Sequence, residues 1–118
     1  VVAVPTWQDV LPTVILEAMS AGRAVLGTDV GGIPYLLGVS DPATAAGWAV
    51  EPRAEALAAA LPIARADAAA VAPRARDRYV RAFHPDVVTR RLIDVYTALS
   101  ARSTPIVQGD HTRDTGRS

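Results

Sequence analysis

The chain has 118 residues, half of them hydrophobic, and its twelve basic and twelve acidic residues give a net charge of zero. This length allows one hydrophobic core of modest size, and the charge balance argues against a nucleic-acid footprint or a polybasic membrane patch. The absence of cysteine excludes disulfides, thiolate metal sites and cysteine nucleophiles.

The first elements form a predicted strand–helix–strand unit. The apolar run at residues 1–5 is typical of a strand in a buried parallel sheet. A helix is expected over residues 12–21, with Gly22 just beyond its end, and a second strand over 24–28. Because the chain opens directly on a buried strand, we expect it to be a piece of a longer protein.

Two glycines follow the second strand. Gly31 and Gly32 predict a turn that permits the close approach of a ligand, and Pro34 is well placed to begin a short helix. Residues 39–47 are expected to form a loop. Residues 48–50 are a candidate for a third, short strand.

The middle of the chain is rich in alanine and predicts two helices. One is expected over residues 54–61 and ends at Pro62, and the other over 67–79 with an interruption at Pro73. The arginines of this region are interpreted as a solvated helix face: Arg74, Arg76, Arg78 and Arg81.

A last amphipathic helix is predicted over residues 86–100, and its apolar stripe needs a partner surface. His84 is interpreted as a cap or surface residue before this helix. Residues 103–118 are polar and are expected to be disordered. No apolar run approaches the roughly 20 residues that span a bilayer, so no transmembrane segment is predicted.

Other notable side chains have structural interpretations. Helical spacing assigns Val14, Ile15, Ala18 and Met19 to the core against the sheet. Trp7 and Trp48 are expected to be packing residues, although Trp7 is near enough to Asp9 for stacking on a sugar. The chain's isolated histidines, His84 and His111, predict no metal site.

The most informative pattern is a pair of carboxylates, Asp9 and Glu17, on either side of a predicted loop-to-helix junction at Pro12. A helix N-terminus attracts phosphate, and ionised carboxylates accept hydrogen bonds from hydroxyls. This arrangement suits a diphosphate flanked by hydroxyls, as in a nucleotide sugar. Taken alone, however, Glu17 could be a solvated helix residue and Asp9 a turn or cap residue.

The pattern resembles the carboxylate-x7-Glu motif of the family 4 glycosyltransferases, which have the GT-B fold. The matching segments are Pro5-Thr6-Trp7-Gln8-Asp9-Val10-Leu11-Pro12, Glu17-Ala18-Met19-Ser20 and Gly31-Gly32-Ile33-Pro34-Tyr35. The resemblance extends to about Leu99. It departs from the usual pattern at Asp9, where the family has Glu, at Pro12, which replaces a glycine, and at Tyr35, which replaces an acid.

The resemblance implies an α/β fold: a partial Rossmann-like parallel sheet with flanking helices, which is the C-terminal half-domain of a GT-B glycosyltransferase. Residues 1–100 would be the C-terminal part of the nucleotide-sugar-binding domain. Residues 101–118 would be a disordered tail. The N-terminal acceptor domain would be missing.

The resemblance also implies residue roles. Asp9 would act in catalysis by contacting hydroxyls of the transferred sugar, and Glu17 would bind the ribose of the donor. The sugar and the diphosphate would face backbone groups of four residues: Val10, Leu11, Thr13 and Val14. No metal and no cofactor is expected, because the nucleoside diphosphate sugar is a substrate.

The implied activity is the retaining transfer of a hexose from a nucleoside diphosphate sugar to a hydroxyl of an acceptor, which could be a sugar, a lipid or a small molecule. We expect the fragment alone to be inactive and the protein to be cytoplasmic, with peripheral membrane attachment through the missing domain as an option. Two alternatives stay open: a nucleotide-sugar epimerase of the same fold, and a truncated remnant that binds a partner through its last helix. A Rossmann dehydrogenase is disfavoured because no G-x-G-x-x-G follows a strand.

Overall fold

The computed structural model describes residues 1–103, which contain a sheet of three parallel strands. The strands are β1 (Val2–Val4), β2 (Val25–Thr28) and β3 (Gly47–Val50), in the spatial order β1-β2-β3. The central strand β2 is buried along its whole length because it pairs with a neighbour on each side. The predicted strands are confirmed, but the burial predicted for the first is wrong, because β1 lies at the edge of the sheet and its residues are half-buried or exposed.

Within residues 1–103, four helices accompany the sheet, and the first two connect its parallel strands, as crossover connections usually do. The four helices are α1 (Thr13–Ser20), α2 (Ile33–Leu37), α3 (Ala54–Arg78) and α4 (Pro85–Arg102), with a π-helical turn (Tyr79–Phe83) between α3 and α4. The architecture is α/β, a partial Rossmann-like sheet flanked by helices, as the sequence predicts.

The core lies between the sheet and the helices. Its fully buried large side chains come from α1, β2 and α2: Ile15, Met19, Val25, Leu26, Ile33, Leu36 and Leu37. The predicted core stripe on α1 is confirmed for Ile15, Ala18 and Met19 but is wrong for Val14, which is 44% exposed. The packing role predicted for Trp7 is also wrong, because its side chain is 77% exposed in a loop.

Helix α3 runs without interruption through Pro62 and Pro73, so the two predicted helices and their breaks are wrong. Each proline removes one N–H and leaves the carbonyl four residues earlier without its helical partner. Both prolines, and the alanines at those earlier positions, lie on the exposed side of the helix. Water can therefore bond the carbonyls, and the surrounding alanines favour the helix strongly enough to continue it.

The solvated face predicted for four arginines is wrong for Arg74 and Arg78, which are half-buried. Arg74 donates from Nη1 to the carbonyls of Pro42 and Ala43, at 2.9 and 3.0 Å. Two others bond carbonyls at helix ends, Arg76 that of Ser20 in α1 and Arg78 those of Leu36 and Tyr35 in α2. Arg76 and Arg81 are exposed as predicted, and Arg81 makes a surface ion pair with Asp77. The contacts of Arg74, Arg76 and Arg78 hold α3 against α1, α2 and the loop before β3.

Helix α4 has no buried residue among those described, and its apolar stripe is exposed. His84 caps it as predicted, because its Nδ1 accepts a hydrogen bond from the Asp86 N–H at 3.2 Å. By length and composition, the helical stretch Ala54–Arg102 could cross a membrane, which is weak evidence and establishes no membrane span. The disorder predicted for the tail concerns residues 104–118, which lie outside the described part.

Candidate functional site

The carboxyl ends of the three parallel strands meet at one edge of the sheet, where ligands bind in open α/β folds. Three loops leave this edge, at residues 5–12 after β1, 29–32 after β2 and 51–53 after β3. Each loop leads into a helix that begins at the same edge. The sequence-predicted site residues follow the first of these strands, so the fold places them at this edge.

The loop after β1 is fixed to its neighbour by a buried hydroxyl. Thr28, at the end of β2, is 1% exposed and donates from Oγ1 to the carbonyl of Thr6 at 2.6 Å. The next residue, Asp29, donates its N–H to the carbonyl of Val50 at 2.6 Å. These bonds hold the starts of the loops in a defined position.

Gly31 and Gly32 accommodate the protein's own loop rather than a ligand. The Gly32 N–H donates to the carbonyl of Val10 at 2.7 Å. A Cβ on Gly31, which has φ +51°, would lie 1.7 Å from the carbonyl oxygen of Asp9, and one on Gly32 would lie 2.6 Å from that of Val10. The space that the sequence assigned to an approaching ligand is filled by the loop at residues 9–11.

Helix α1 begins one residue later than predicted. Pro12 is the buried N-cap, with extended φ −69° and ψ 118°, and Thr13 is the first helical residue. No side chain among the described residues caps this end, and the N–H groups of Thr13 and Val14 have no partner there. The positive end of the helix is therefore open to an anion.

The predicted site residues form one surface around this helix end. Thr13, Val14 and Glu17 share the exposed face of α1, and Glu17 lies about 6 Å further along the helix axis than Thr13. Asp9 is half-buried in the preceding loop, and Val10 is 84% exposed beside it. Within residues 1–103 neither carboxylate makes an ion pair or a side-chain hydrogen bond, so both remain available to a ligand's hydroxyls.

Comparison with known families identifies the family of the chain. The family model described as glycosyl transferases group 1 matches residues 1–67, a span that covers more than half of the chain. The chain belongs to the group 1 glycosyltransferases. It matches no curated protein and no solved structure. The matched span contains all three strands, α1, α2 and the start of α3, and thus the whole carboxyl edge.

This glycosyltransferase edge includes a pocket that the sequence did not predict. A cavity of about 220 Å³ lies between the loop after β1 and the first turns of α3, and its lining includes Thr6, Trp7, Thr28, Arg53 and Leu57. Arg53 is paired with Glu51 at 2.7 Å. Trp7, a tryptophan in a polar loop, is the sequence feature that could have indicated this pocket. The sequence analysis interprets it mainly as a packing residue, so the pocket was not predicted.

Among residues 1–103, no group of three or more histidine, aspartate or glutamate side chains lies close enough together to hold an ion. The charged groups at the edge are the carboxylates of Asp9, Glu17 and Asp29 and the arginine–glutamate pair, beside the N-terminal end of α1.

Proposed function

We propose that the chain is the C-terminal part of the donor-binding domain of a family 4-like GT-B glycosyltransferase. It would take part in the retaining transfer of a hexose from a nucleoside diphosphate sugar to an acceptor hydroxyl. The observation that carries the proposal is the uncapped N-terminus of α1, with Asp9 in the loop before it and Glu17 on its exposed face.

The diphosphate of the donor would lie at the start of α1. The free N–H groups of Thr13 and Val14 point out of this end, which carries roughly half a positive charge. This charge would stabilise the nucleoside diphosphate as it leaves, when the bond to the sugar breaks. The helix end would thereby contribute both binding and catalysis.

The two carboxylates would orient the remainder of the donor. Glu17 would accept hydrogen bonds from the ribose hydroxyls, and Asp9 would contact hydroxyls of the transferred hexose. Asp9 is about one methylene shorter than the glutamate usual in the family, so a water molecule would bridge the contact if the sugar lies out of direct reach. The backbone of Val10 and Leu11 would line the sugar.

Other parts of the proposal concern the whole protein. The acceptor, a sugar, a lipid or a small molecule, would bind to a separate N-terminal domain, and these residues alone would be inactive. The donor would be a substrate, with no further cofactor. The protein would work in the cytoplasm, with attachment to the membrane surface as an option.

Replacing Glu17 with Gln in the full-length protein tests the proposal. Losing a hydrogen bond to a charged group costs about 1.5–3 kcal/mol, so we expect kcat/KM for the donor to fall roughly 10- to 100-fold. Asp67→Asn is the matched control, because Asp67 is an exposed acid in the middle of α3. Equal kinetics for the Glu17→Gln variant and the wild type would remove Glu17 from the ribose role.

The same assay separates the alternatives. A transferase consumes the nucleotide sugar only when an acceptor hydroxyl is present and releases a nucleoside diphosphate, whereas an epimerase changes the sugar while it stays attached. A remnant that only binds a partner would do neither. Analysis of the products with and without acceptor therefore distinguishes all three.

A further inference from the structure

A depression lined by arginines lies apart from the residues assigned to the donor. It has a volume of about 250 Å³ and lies between α3, the π-helical turn and the loop that enters β3. Its lining includes Arg74, Arg78 and Arg81, together with Asp77 and the loop residue Thr44. No role in the proposed sugar transfer involves these residues.

The positive charge of this depression follows from the helical spacing. Arg74, Arg78 and Arg81 succeed one another at intervals of four and three residues, which places them on one face. Within the described part of the chain, Asp77 is the one acid that lines the depression, so three arginines face one aspartate there, although the chain's net charge is zero. Like charges so close together repel each other, and a bound anion would relieve that repulsion.

The arginines are held in place by the protein but keep unused donors. Arg78 uses Nε and Nη2 on the carbonyls of α2, and Arg74 uses Nη1 on the loop that enters β3. The Nε of Arg74 is buried and has no hydrogen-bond partner among residues 1–103. Because solvent does not reach that atom, the donors left among the described residues for an anion in the depression are the unbonded Nη groups: Nη2 of Arg74, Nη1 of Arg78 and both of Arg81.

We propose that this depression binds a phosphate group, carried either by a soluble phosphate ester or by a lipid headgroup. Guanidinium groups match the oxygens of phosphate in geometry and charge. Because backbone carbonyls already restrain Arg74 and Arg78, little side-chain freedom would be lost on binding. Arg81 would supply the third charge, and its ion pair with Asp77 leaves most of its N–H groups available.

The test uses the full-length protein and Arg81→Gln, because Arg81 makes no bond to the backbone of residues 1–103 that would be lost from the fold. Arg90→Gln on the exposed surface of α4 is the matched control with the same change in charge. The first probe is inorganic phosphate, measured as the rise in Tm over chloride at equal ionic strength. The second is flotation with neutral phosphatidylcholine vesicles and with vesicles that also contain phosphatidic acid.

We expect phosphate, phosphatidic acid vesicles or both to bind the wild type and the Arg90→Gln variant, and binding to fall at least about fivefold in the Arg81→Gln variant. Protection by phosphate that Arg81→Gln reduces, without flotation, would assign the site to a soluble ester, and flotation that depends on Arg81 would assign it to a headgroup. The proposal is overturned if neither probe binds the wild type. It is equally overturned if both substitutions weaken binding alike, which would indicate diffuse attraction by net charge.

Discussion

Gly31 is the residue on which the shape of the candidate site depends most directly. An alanine held at its φ of +51° would lower the stability of the fold by about 1–2 kcal/mol. The absence of a Cβ at Gly31 also leaves room for the backbone of Asp9. The new Cβ of Gly31→Ala would also clash with this backbone, and overpacking of this kind costs about 1–3 kcal/mol. We therefore expect a total loss of about 2–5 kcal/mol in the free energy of unfolding by urea, together with weaker donor binding.

Gly22 provides the control for this substitution. It has φ +65°, but a Cβ there would be 3.8 Å from its nearest neighbour, an ordinary contact. Gly22→Ala should therefore show the conformational cost alone, with donor binding unchanged in the folded protein. Similar losses of stability at both positions would mean that the loop at residue 9 is not packed against Gly31 as described.

At the scale of residues, the sequence predicted the positions of Asp9 and Glu17 in the fold better than it predicted the contacts of the arginines. Asp9 and Glu17 are placed by local features, a strand end, a loop and a helix start, and each of these can be recognised from nearby residues. The partners of Arg74 and Arg78 are backbone carbonyls more than thirty residues away in sequence. Carbonyls carry no residue-specific signal, so the arginine spacing alone indicated only a charged face.

Among the elements, α3 makes the clearest prediction, because its prolines are tolerated rather than required. Pro62→Ala restores an N–H for the carbonyl four residues earlier and removes a cost of about 3 kcal/mol, offset by about 1 kcal/mol because the unfolded chain becomes more flexible. We expect the free energy of unfolding to rise by about 2 kcal/mol, with the helical circular dichroism unchanged because the helix is already continuous. A fall in stability would show that the helix breaks at Pro62 in solution.

The continuity of α3 also explains why the sequence predicted strands more accurately than long helices. The strands and α1 follow from short apolar patterns and from the glycines and prolines that end them. For α3, the expectation that proline ends a helix considers only the lost hydrogen bond. However, Ala64 is buried just beyond Pro62, and Val71 and Ala75 are buried on either side of Pro73. Tertiary packing, which local propensity omits, keeps the helix whole.

At the scale of the whole molecule, an apolar surface remains uncovered in residues 1–103. A groove of about 340 Å³ runs between the loop after β1, α2 and α4, and its lining includes Leu11, Tyr35, Phe83, Val88 and Leu92. The apolar stripe of α4 continues from it through Val95, Tyr96 and Leu99, all of them exposed. Contiguous apolar surface of this kind is typical of a region that contacts another protein surface.

This surface predicts that the 118-residue chain self-associates when it is prepared alone. Leu92, which is 53% exposed, lies in the groove and on the stripe, so Leu92→Glu should shift the sedimenting species towards the monomer and reduce binding of an apolar dye. Because this side chain is already half in water, its replacement should change Tm little. Thr97→Glu adds the same charge to α4 at a residue that does not line the groove, and should leave association unchanged. If both substitutions dissociate the oligomer equally, the cause is the added charge rather than loss of the apolar contact. The stripe would then not be the interface between the chains.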